Sequence, residues 1–300
     1  MIPGSFEYLC PTSKGDALKM LADGGENTRP LAGGHSLIPM MKLRMASPEK
    51  LVDLSKISEL KGISVGKKEI TIGAMTTQHE LIGDEDLHRA CPIMREAALL
   101  IADPQVRYCG TLGGNIGNGD PGNDMPGLMQ CLDATYVVES SGGSRNIKAR
   151  DFYQGAYFTA LDTGEIITGV KIPMPAENHG YAYTKLKRKV GDYATAAAAV
   201  IVEIAKGQVR AASIALTNVA DTPLYAEDAV KAIVGTSLDA TDIDKAVAAA
   251  EAITSPVSDG RGSAEYRTKM AGVMVRRALE SAKDRAGEAK SGGILGWLKG

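Results

Sequence analysis

Two stretches of this chain hold residue types and spacings able to grip a ligand. They are Ala32-Gly33-Gly34-His35-Ser36 and Thr111-Leu112-Gly113-Gly114-Asn115, each a pair of glycines closed by a polar residue. Glycine enters positive φ freely, so a paired glycine lets successive backbone N–H groups converge on one point. Such a nest of donors binds anions, phosphate above all. Either loop alone reads as a tight turn. Together they read as the two halves of a pyrophosphate clamp, and so as a dinucleotide site.

Other candidates carry two readings each. Gly117-x-Gly119-x-x-Gly122 spells a dinucleotide fingerprint, but that motif needs a strand just before it and a helix opening inside it. Pro121 and the Asn/Asp/Gly run around it make a loop instead. Long polar loops often carry function, and Asp124 suits either turn capping or a charge-assisted bond to a ribose hydroxyl. Lys185-Leu186-Lys187-Arg188-Lys189 sets four cations in five residues. As a strand it places Lys185, Lys187 and Lys189 on one face. That face suits a solvated edge strand, or a lysine that stabilises an anion on a bound ring. Tyr193, after Gly191-Asp192, either packs in the ordinary way or lies flat on a flavin.

Metal and hydrolytic chemistry find no support. His35, His79, His88 and His179 fall at no ligand spacing, and His79-Glu80 lacks the second histidine of a zinc helix. Cys10, Cys91, Cys109 and Cys131 contain no C-x-x-C pair, so neither zinc nor an iron–sulfur cluster is expected on this chain, nor a disulfide framework. They read as reduced, mostly packed thiols. No Ser/His/Asp or Cys/His arrangement stands out, and no catalytic residue is assigned. Lys plus Arg number 34 against 36 Asp plus Glu, a net charge of -2 without the basic excess of a nucleic-acid binder. The start MIPGSFEYLC lacks a secretory pattern, and no run reaches the ~18 apolar residues of a membrane span. A soluble, cytoplasmic protein is expected.

The elements that must carry these residues follow from caps and periodicity. With 300 residues there is room for two or three domains. Ser13 reads as the cap of a helix over 16–22 that Gly24-Gly25 stops. Residues 29–32 read as a strand feeding the first glycine loop. Ser36 caps a second helix, whose Leu37, Met40, Met41 and Met45 recur on one face as core packing. Residues 51–54 return as a strand and close a small α/β unit. Alternation at 63–65 and 69–72 around Gly66-Lys67-Lys68 gives a hairpin. Thr76 or Thr77 caps a helix through Leu81, and Pro92 opens another over 93–102 that Asp103-Pro104 ends. Strands follow at 134–139 and 165–172, then a linker at Pro173-Met174-Pro175. Beyond it, 181–188, 194–204 and 209–217 read as three antiparallel strands, and 226–234, 243–252 and 265–281 as helices over a core of their own. The chain from Lys283 reads as a frayed tail with a short apolar end around Trp297. The division is therefore 1–58, 59–176, 177–287 and a flexible 288–300.

With its two double-glycine loops the chain resembles the FAD subunits of molybdenum-containing hydroxylases, most closely the branch serving aerobic carbon monoxide dehydrogenases. The similar segments are MIPGSFEY, RPLAGGHSLIPMMKLRMASPE, IGAMTTQHELIG, IADPQVRYCGTLGGN, NGDPGNDMPGLMQC, FYQGAYFTA, KLKRKVGDYATAAAAV and DGRGSAEYRTKMAGVM, which cover nearly the whole chain. The resemblance implies an α+β chain. A vanillyl-alcohol-oxidase/PCMH-like FAD-binding fold of two α/β subdomains precedes a C-terminal three-stranded antiparallel sheet with a helical layer.

It further implies that Ala32, Gly33, Gly34, His35 and Ser36 clasp the FAD pyrophosphate together with Thr111, Leu112, Gly113, Gly114 and Asn115. Asp124 would hold the ribose or its phosphate, and Ile101 and Ile167 would line the flavin and adenine pockets. Lys185 would face the flavin, favouring its reduced anion by Coulomb attraction, and Tyr193 would shield the ring. The implied partners are a large subunit with a molybdenum–copper cofactor and a small subunit with two [2Fe–2S] clusters, in a dimer of heterotrimers. Electrons pass from the clusters through FAD to a quinone-type acceptor, in a complex free to sit at the inner face of the cytoplasmic membrane. The rivals are the flavin subunit of a hydroxylase acting on an N-heterocycle or aldehyde, and a stand-alone nucleotide-binding or assembly protein. The tail beyond about residue 285 departs from the family pattern.

Overall fold

The computed structural model describes residues 2–288 and divides into two compact units, each assembled from separate stretches of chain. The first comprises Met1–Arg89, Ile101–Asp120 and Asp133–Met174. It opens with a three-stranded parallel sheet of β1 (Glu7–Leu9), β2 (Thr28–Leu31) and β3 (Lys50–Asp53), in the order β1-β3-β2. Helix α1 (Lys14–Gly24) connects β1 to β2, which run parallel on either side of β3, as a parallel crossover requires. Ser13 caps it by accepting from the Asp16 amide at 3.1 Å, and Gly25 ends it at φ 60°. Ala17, Leu18 and Leu21 of α1 pack with Val52, Leu54 and Ile57 in a small core. Helix α2 (Leu37–Lys42) is shorter than the methionine spacing predicts. Met41 is buried, but Met45, past the helix end, is 70% exposed, so the expected apolar face does not extend that far.

A five-stranded antiparallel sheet completes this unit. Its strands β4 (Ile63–Val65), β5 (Glu69–Gly73), β6 (Thr135–Ser140), β7 (Gly143–Lys148) and β10 (Ile166–Pro173) run in the order β4-β5-β10-β6-β7. A small hairpin, β8 (Tyr153–Gly155) with β9 (Phe158–Thr159), lies outside that sheet. Thr77 and Glu80 form a full capping box on α3 (Gln78–Gly83), which α4 (Glu85–Ala90) follows. Asp103-Pro104 starts a helix, α6 (Pro104–Cys109), with the Val106 amide bonded to Asp103 at 3.0 Å. Helix α7 (Leu112–Gly117) leads into the 117–122 glycine run, so no strand precedes that run.

The second unit takes Ala90–Leu100, Pro121–Leu132 and Pro175–Gly300. Strands β11 (His179–Leu186), β12 (Ala196–Ala205), β13 (Gln208–Thr217) and β14 (Leu224–Tyr225) form an antiparallel sheet in chain order. Three strands were expected; the fourth has two residues, too few to alternate. Helices α9 (Glu227–Ile233), α10 (Ala240–Ala252) and α11 (Ala264–Glu288) cover one face. The opposite side carries α5 (Ile93–Leu100) and α8 (Asp124–Cys131), the latter buried at all eight positions. This double cover explains the Ala196–Ala199 run. Small side chains let helices approach both faces of β12, and a Cβ on Gly127 of α8 would land on the Thr217 hydroxyl.

Helix α11 runs beyond the expected end at residue 281. Lys283 Nζ donates to the Leu238 carbonyl at 2.6 Å, and Arg285 pairs with Glu96 at 2.7 Å, so this stretch is not a frayed tail. The remainder, including Trp297, lies outside the described residues. Of the cysteines, Cys91 and Cys131 are buried, Cys10 half-buried and Cys109 exposed, so the expected packing holds for only some of them. Burial pushes the Cys91 thiol up to about 12. No described helix is long and apolar enough to cross a membrane.

Candidate cofactor site

The first glycine loop leaves the carboxyl end of parallel strand β2, the end at which open α/β sheets bind ligands. Gly34 takes φ 74°, a conformation side chains resist, and its carbonyl accepts from the Ile38 amide at 3.0 Å to begin α2. Among the described residues, the backbone N–H groups of Gly33, Gly34, His35 and Ser36 have no acceptor. Ser36 stands at the N-cap of α2, yet its hydroxyl makes no capping bond, which corrects the expectation. The reason is local: φ -103° and ψ -51° are helical, whereas a capping serine needs extended backbone. Four amide donors and a hydroxyl are thus free of partners in one short turn.

The second loop is built differently. Thr111 caps α7, its hydroxyl accepting from the Gly114 amide at 3.0 Å and its carbonyl from Asn115 at 3.0 Å. The Leu112 amide reaches the Thr76 carbonyl at 2.9 Å, and the Gly113 amide reaches Ala74 at 2.8 Å. Neither Gly113 nor Gly114 has positive φ. The expectation of a second nest of free donors is therefore corrected: these amides are engaged within the protein. Here glycine supplies closeness. A Cβ on Gly113 would sit 2.6 Å from that of Ala74, and one on Gly114 would sit 3.1 Å from that of Ala32. A Cβ on Gly33 would land on the Cys109 carbonyl and 2.9 Å from the Gly110 Cα. The two loops are packed against each other, as a shared grip on one group requires.

Two more of the expected residues belong to this unit. Ile167, 6% exposed, lies where β10 shifts register against β6, and a Cβ on Gly117 would be 3.5 Å from its Cδ1. Ile101, also 6% exposed, has its carbonyl held by Arg107 Nη1 at 2.8 Å. The next residue, Ala102, is turned to φ 41°.

Asp124, Lys185 and Tyr193 belong to the second unit. Strand β11 stops at Leu186, so Lys187 and Lys189 do not share a strand face with Lys185. Nor is Lys185 solvated: its side chain is 1% exposed and its ammonium lies 2.7 Å from Asp124 Oδ2. Strand β11 does lie at the edge of its sheet, but the reading of Lys185 as a solvated edge lysine fails. Asp124 opens α8 behind the N-cap Asn123, and its Oδ1 accepts from the Tyr183 hydroxyl at 2.6 Å. Burial pushes the Asp124 carboxyl above its usual range, opposed by the Lys185 charge and by both hydrogen bonds. Burial and the neighbouring Asp124 push the Tyr183 hydroxyl well up. Tyr193 is 42% exposed, its amide bonded to Asp192 and its ring 5.6 Å from the Arg261 guanidinium. Sequence reasoning missed Tyr183, although it shares the period-2 phase of Lys185.

A phosphate cradle at the end of a parallel strand, with a glycine-packed second loop as its wall, fits a bound dinucleotide. Comparison with known proteins narrows the class. Residues 4–175 match the FAD binding domain in molybdopterin dehydrogenase, and residues 181–282 match the CO dehydrogenase flavoprotein C-terminal domain. The chain therefore belongs to the FAD-binding medium subunits of molybdenum-containing dehydrogenases, and it is an oxidoreductase subunit of the carbon monoxide dehydrogenase type. It is 63% identical to the carbon monoxide dehydrogenase medium chain of Afipia carboxidovorans, over 95% of this chain and 99% of that one. It is 45% identical to that of Hydrogenophaga pseudoflava, over 94% and 98%. The crystal structure of the cyanide-inactivated Cu,Mo-CO dehydrogenase superposes with a TM-score of 0.94 at 63% identity, covering 95% of this chain and all of its counterpart.

Proposed function

We propose that this chain carries FAD as the electron-transfer subunit of an aerobic carbon monoxide dehydrogenase. The observation behind this reading is the row of unpartnered amides at 33–36 with the free Ser36 hydroxyl, in a chain so similar to carbon monoxide dehydrogenase medium chains. The Gly33, Gly34, His35 and Ser36 amides would hold the pyrophosphate, with Ala32 and Thr111, Leu112, Gly113, Gly114 and Asn115 as the facing wall. Fixed N–H dipoles bind an anion without reorganising, and they lose least to solvent when the turn is held rigidly. Ile101 and Ile167 supply apolar surface for the rings. Asp124 and Lys185, an ion pair of 2.7 Å, are assigned together to one part of the cofactor, and Tyr193 to the flavin.

Bound FAD supplies the exchange between one-electron donors and a two-electron acceptor. The chain's own residues bind it, orient it and set its electrostatics. The donor is the [2Fe–2S] small subunit, fed by a molybdenum–copper large subunit that oxidises CO, and the acceptor is a quinone. The assembly is a dimer of heterotrimers in the cytoplasm, at the inner face of the membrane. The test is purification of the complex through a tag on this chain. Stoichiometric FAD, the two partner subunits and CO-dependent quinone reduction are the expected results. A colourless complex, or one that reduces quinone with an aldehyde or N-heterocycle but not with CO, would overturn the reading.

A further inference from the structure

The last helix of the second unit leads toward an open groove in that same unit. Helix α11 runs antiparallel to β11: the Thr184 hydroxyl donates to the Met274 carbonyl at 2.8 Å, and farther along the helix Arg285 Nη1 donates to the Tyr181 carbonyl at 2.6 Å. A Cβ on Gly180 would land on the Ala282 carbonyl and 2.9 Å from the Ala286 Cβ. The helix thus delivers the chain to the start of β11, where the groove lies. Ala176, Ile204 and Ala205 give the groove apolar lining, and Glu177, Glu203 and Arg210 give it charge. Ile204 also packs against the core beneath the helices, so the groove continues the face that α11 covers. At about 220 Å³ it is smaller than the ~300–1,000 Å³ of small-molecule sites and suits one large side chain. Two carboxylates against one guanidinium leave it acidic, and among the described residues neither Glu177 nor Glu203 has an ion-pair partner.

The chain beyond Glu288 reads AKSGGILGWLKG, in which Ile294, Leu295, Trp297 and Leu298 are apolar, Lys290 and Lys299 are basic and no side chain is acidic. Its length suffices to reach the groove. Ala176 is at most about 14 Å along the chain from Gly180, which Ala286 touches, and the stretch from Glu288 to Ile294 covers up to about 20 Å when extended. Gly292-Gly293 permits the reversal this path needs. Trp297 is the largest side chain of the stretch, with the most apolar surface to gain cover. We propose that this tail is the occupant of the groove, with the Trp297 ring against Ala176, Ile204 and Ala205 and the tail lysines facing Glu177 and Glu203. The tail is then a strap that fastens α11 to the start of its sheet. The match to the family's C-terminal domain ends at residue 282, so the strap lies outside it. The proposal is independent of the FAD reading.

The test treats the purified full-length protein, in its complex, with a carbodiimide, which joins an amine to a carboxylate with loss of water where the two touch. Mass spectrometry should find Lys290 or Lys299 joined to Glu177 or Glu203. In a mixture of heavy-isotope and ordinary protein, each joined pair should carry a single isotope, as links within one chain do. Trp297→Ser removes the seated ring, and Ala205→Phe fills the groove from an exposed position that the fold does not need. Each should lower the yield more than about fivefold, as loss of one covered large side chain predicts. Absence of these links in the wild type, links from the tail lysines to a partner subunit in their place, or mixed-isotope pairs would overturn the inference, the last by making a second copy the occupant. So would a yield that survives either variant, since nearness along the chain would then account for the links.

Discussion

The two glycine loops have nearly the same spelling and opposite constructions. At 32–36 the turn opens, Gly34 adopts positive φ and successive amides have no internal acceptor. At 111–115 the chain closes into the first turn of α7, with amides bonded to Thr111, Thr76 and Ala74. One pair supplies donors; the other supplies proximity. A double glycine therefore carries two separable meanings, freedom of φ and absence of a Cβ. Only the surroundings decide between them.

Substitutions can break or sharpen that contrast. The largest effect is expected from Gly33→Val, whose branched side chain would meet the backbone of Cys109 and Gly110 and force the loops apart. Overpacking of this kind costs about 1–3 kcal/mol or more, and FAD retention after gel filtration should fall by more than about tenfold. Full flavin content in this variant would remove loop-to-loop packing from the account. Next comes Gly34→Ala, penalised by about 1–2 kcal/mol for left-handed backbone. Gly34→Asn should recover part of that loss, since Asn tolerates the conformation, whereas Gly114→Asn should recover nothing relative to Gly114→Ala. FAD titration of the four variants reads this directly, and equal behaviour of the two Asn variants would erase the distinction drawn here.

A smaller and more pointed contrast pairs Thr111→Ala with Ser36→Ala. Removing the Thr111 cap should lower thermal stability of the FAD-free protein by about 0.5–2 kcal/mol. Removing the Ser36 hydroxyl, which caps nothing, should leave that stability unchanged while weakening FAD binding by about 0.5–1.5 kcal/mol. Calorimetry with and without FAD gives both numbers, and a destabilised FAD-free Ser36→Ala protein would mean that the hydroxyl has a structural partner after all. The smallest effect is a control outside both loops. Arg145 grips Glu165 with two hydrogen bonds, of 2.8 and 2.6 Å, and holds its carboxyl below the usual range. A depressed carboxyl contributes stability above its unfolded pKa and loses it as pH falls through the folded value. Arg145 is 43% exposed, so the contribution is screened to under about 1 kcal/mol. Arg145→Gln should narrow the stability difference between neutral and acid pH without touching FAD affinity; a change in affinity would show that distant strain reaches the loops.

Much of the architecture was legible where local signals agreed with tertiary need. The alternation of β11 to β13, the Ser13 cap and a threonine cap at Thr77 all stand where spacing put them. Helix α8 was hidden, because it follows an Asn/Asp/Gly run and contains Pro126 and Gly127; burial on every side sustains it, not propensity. Strand β7, GSRNIK, is exposed along most of its length and has almost no apolar alternation to betray it. Asp103-Pro104 is a stop and a start at once, and only the stop was visible. At the site, residue types were readable and modes were not. Gly113 and Gly114 announce a special backbone but do not say which kind. Lys185 announces a cation, yet its partner Asp124 lies 61 positions away and is brought to it only by folding.

The interleaving of the two units has a consequence for how the polypeptide must be made. Between Arg89 and Pro175 the chain changes unit five times, and α5 and α8 are encoded well before the sheet they cover. A ribosome that has just released Met174 has finished both glycine loops but leaves a helix buried at all eight positions without its strands. No single proteolytic cut or gene fusion point yields two self-sufficient halves. The two glycine turns are thereby bound, through covalent continuity alone, to completion of the last helices.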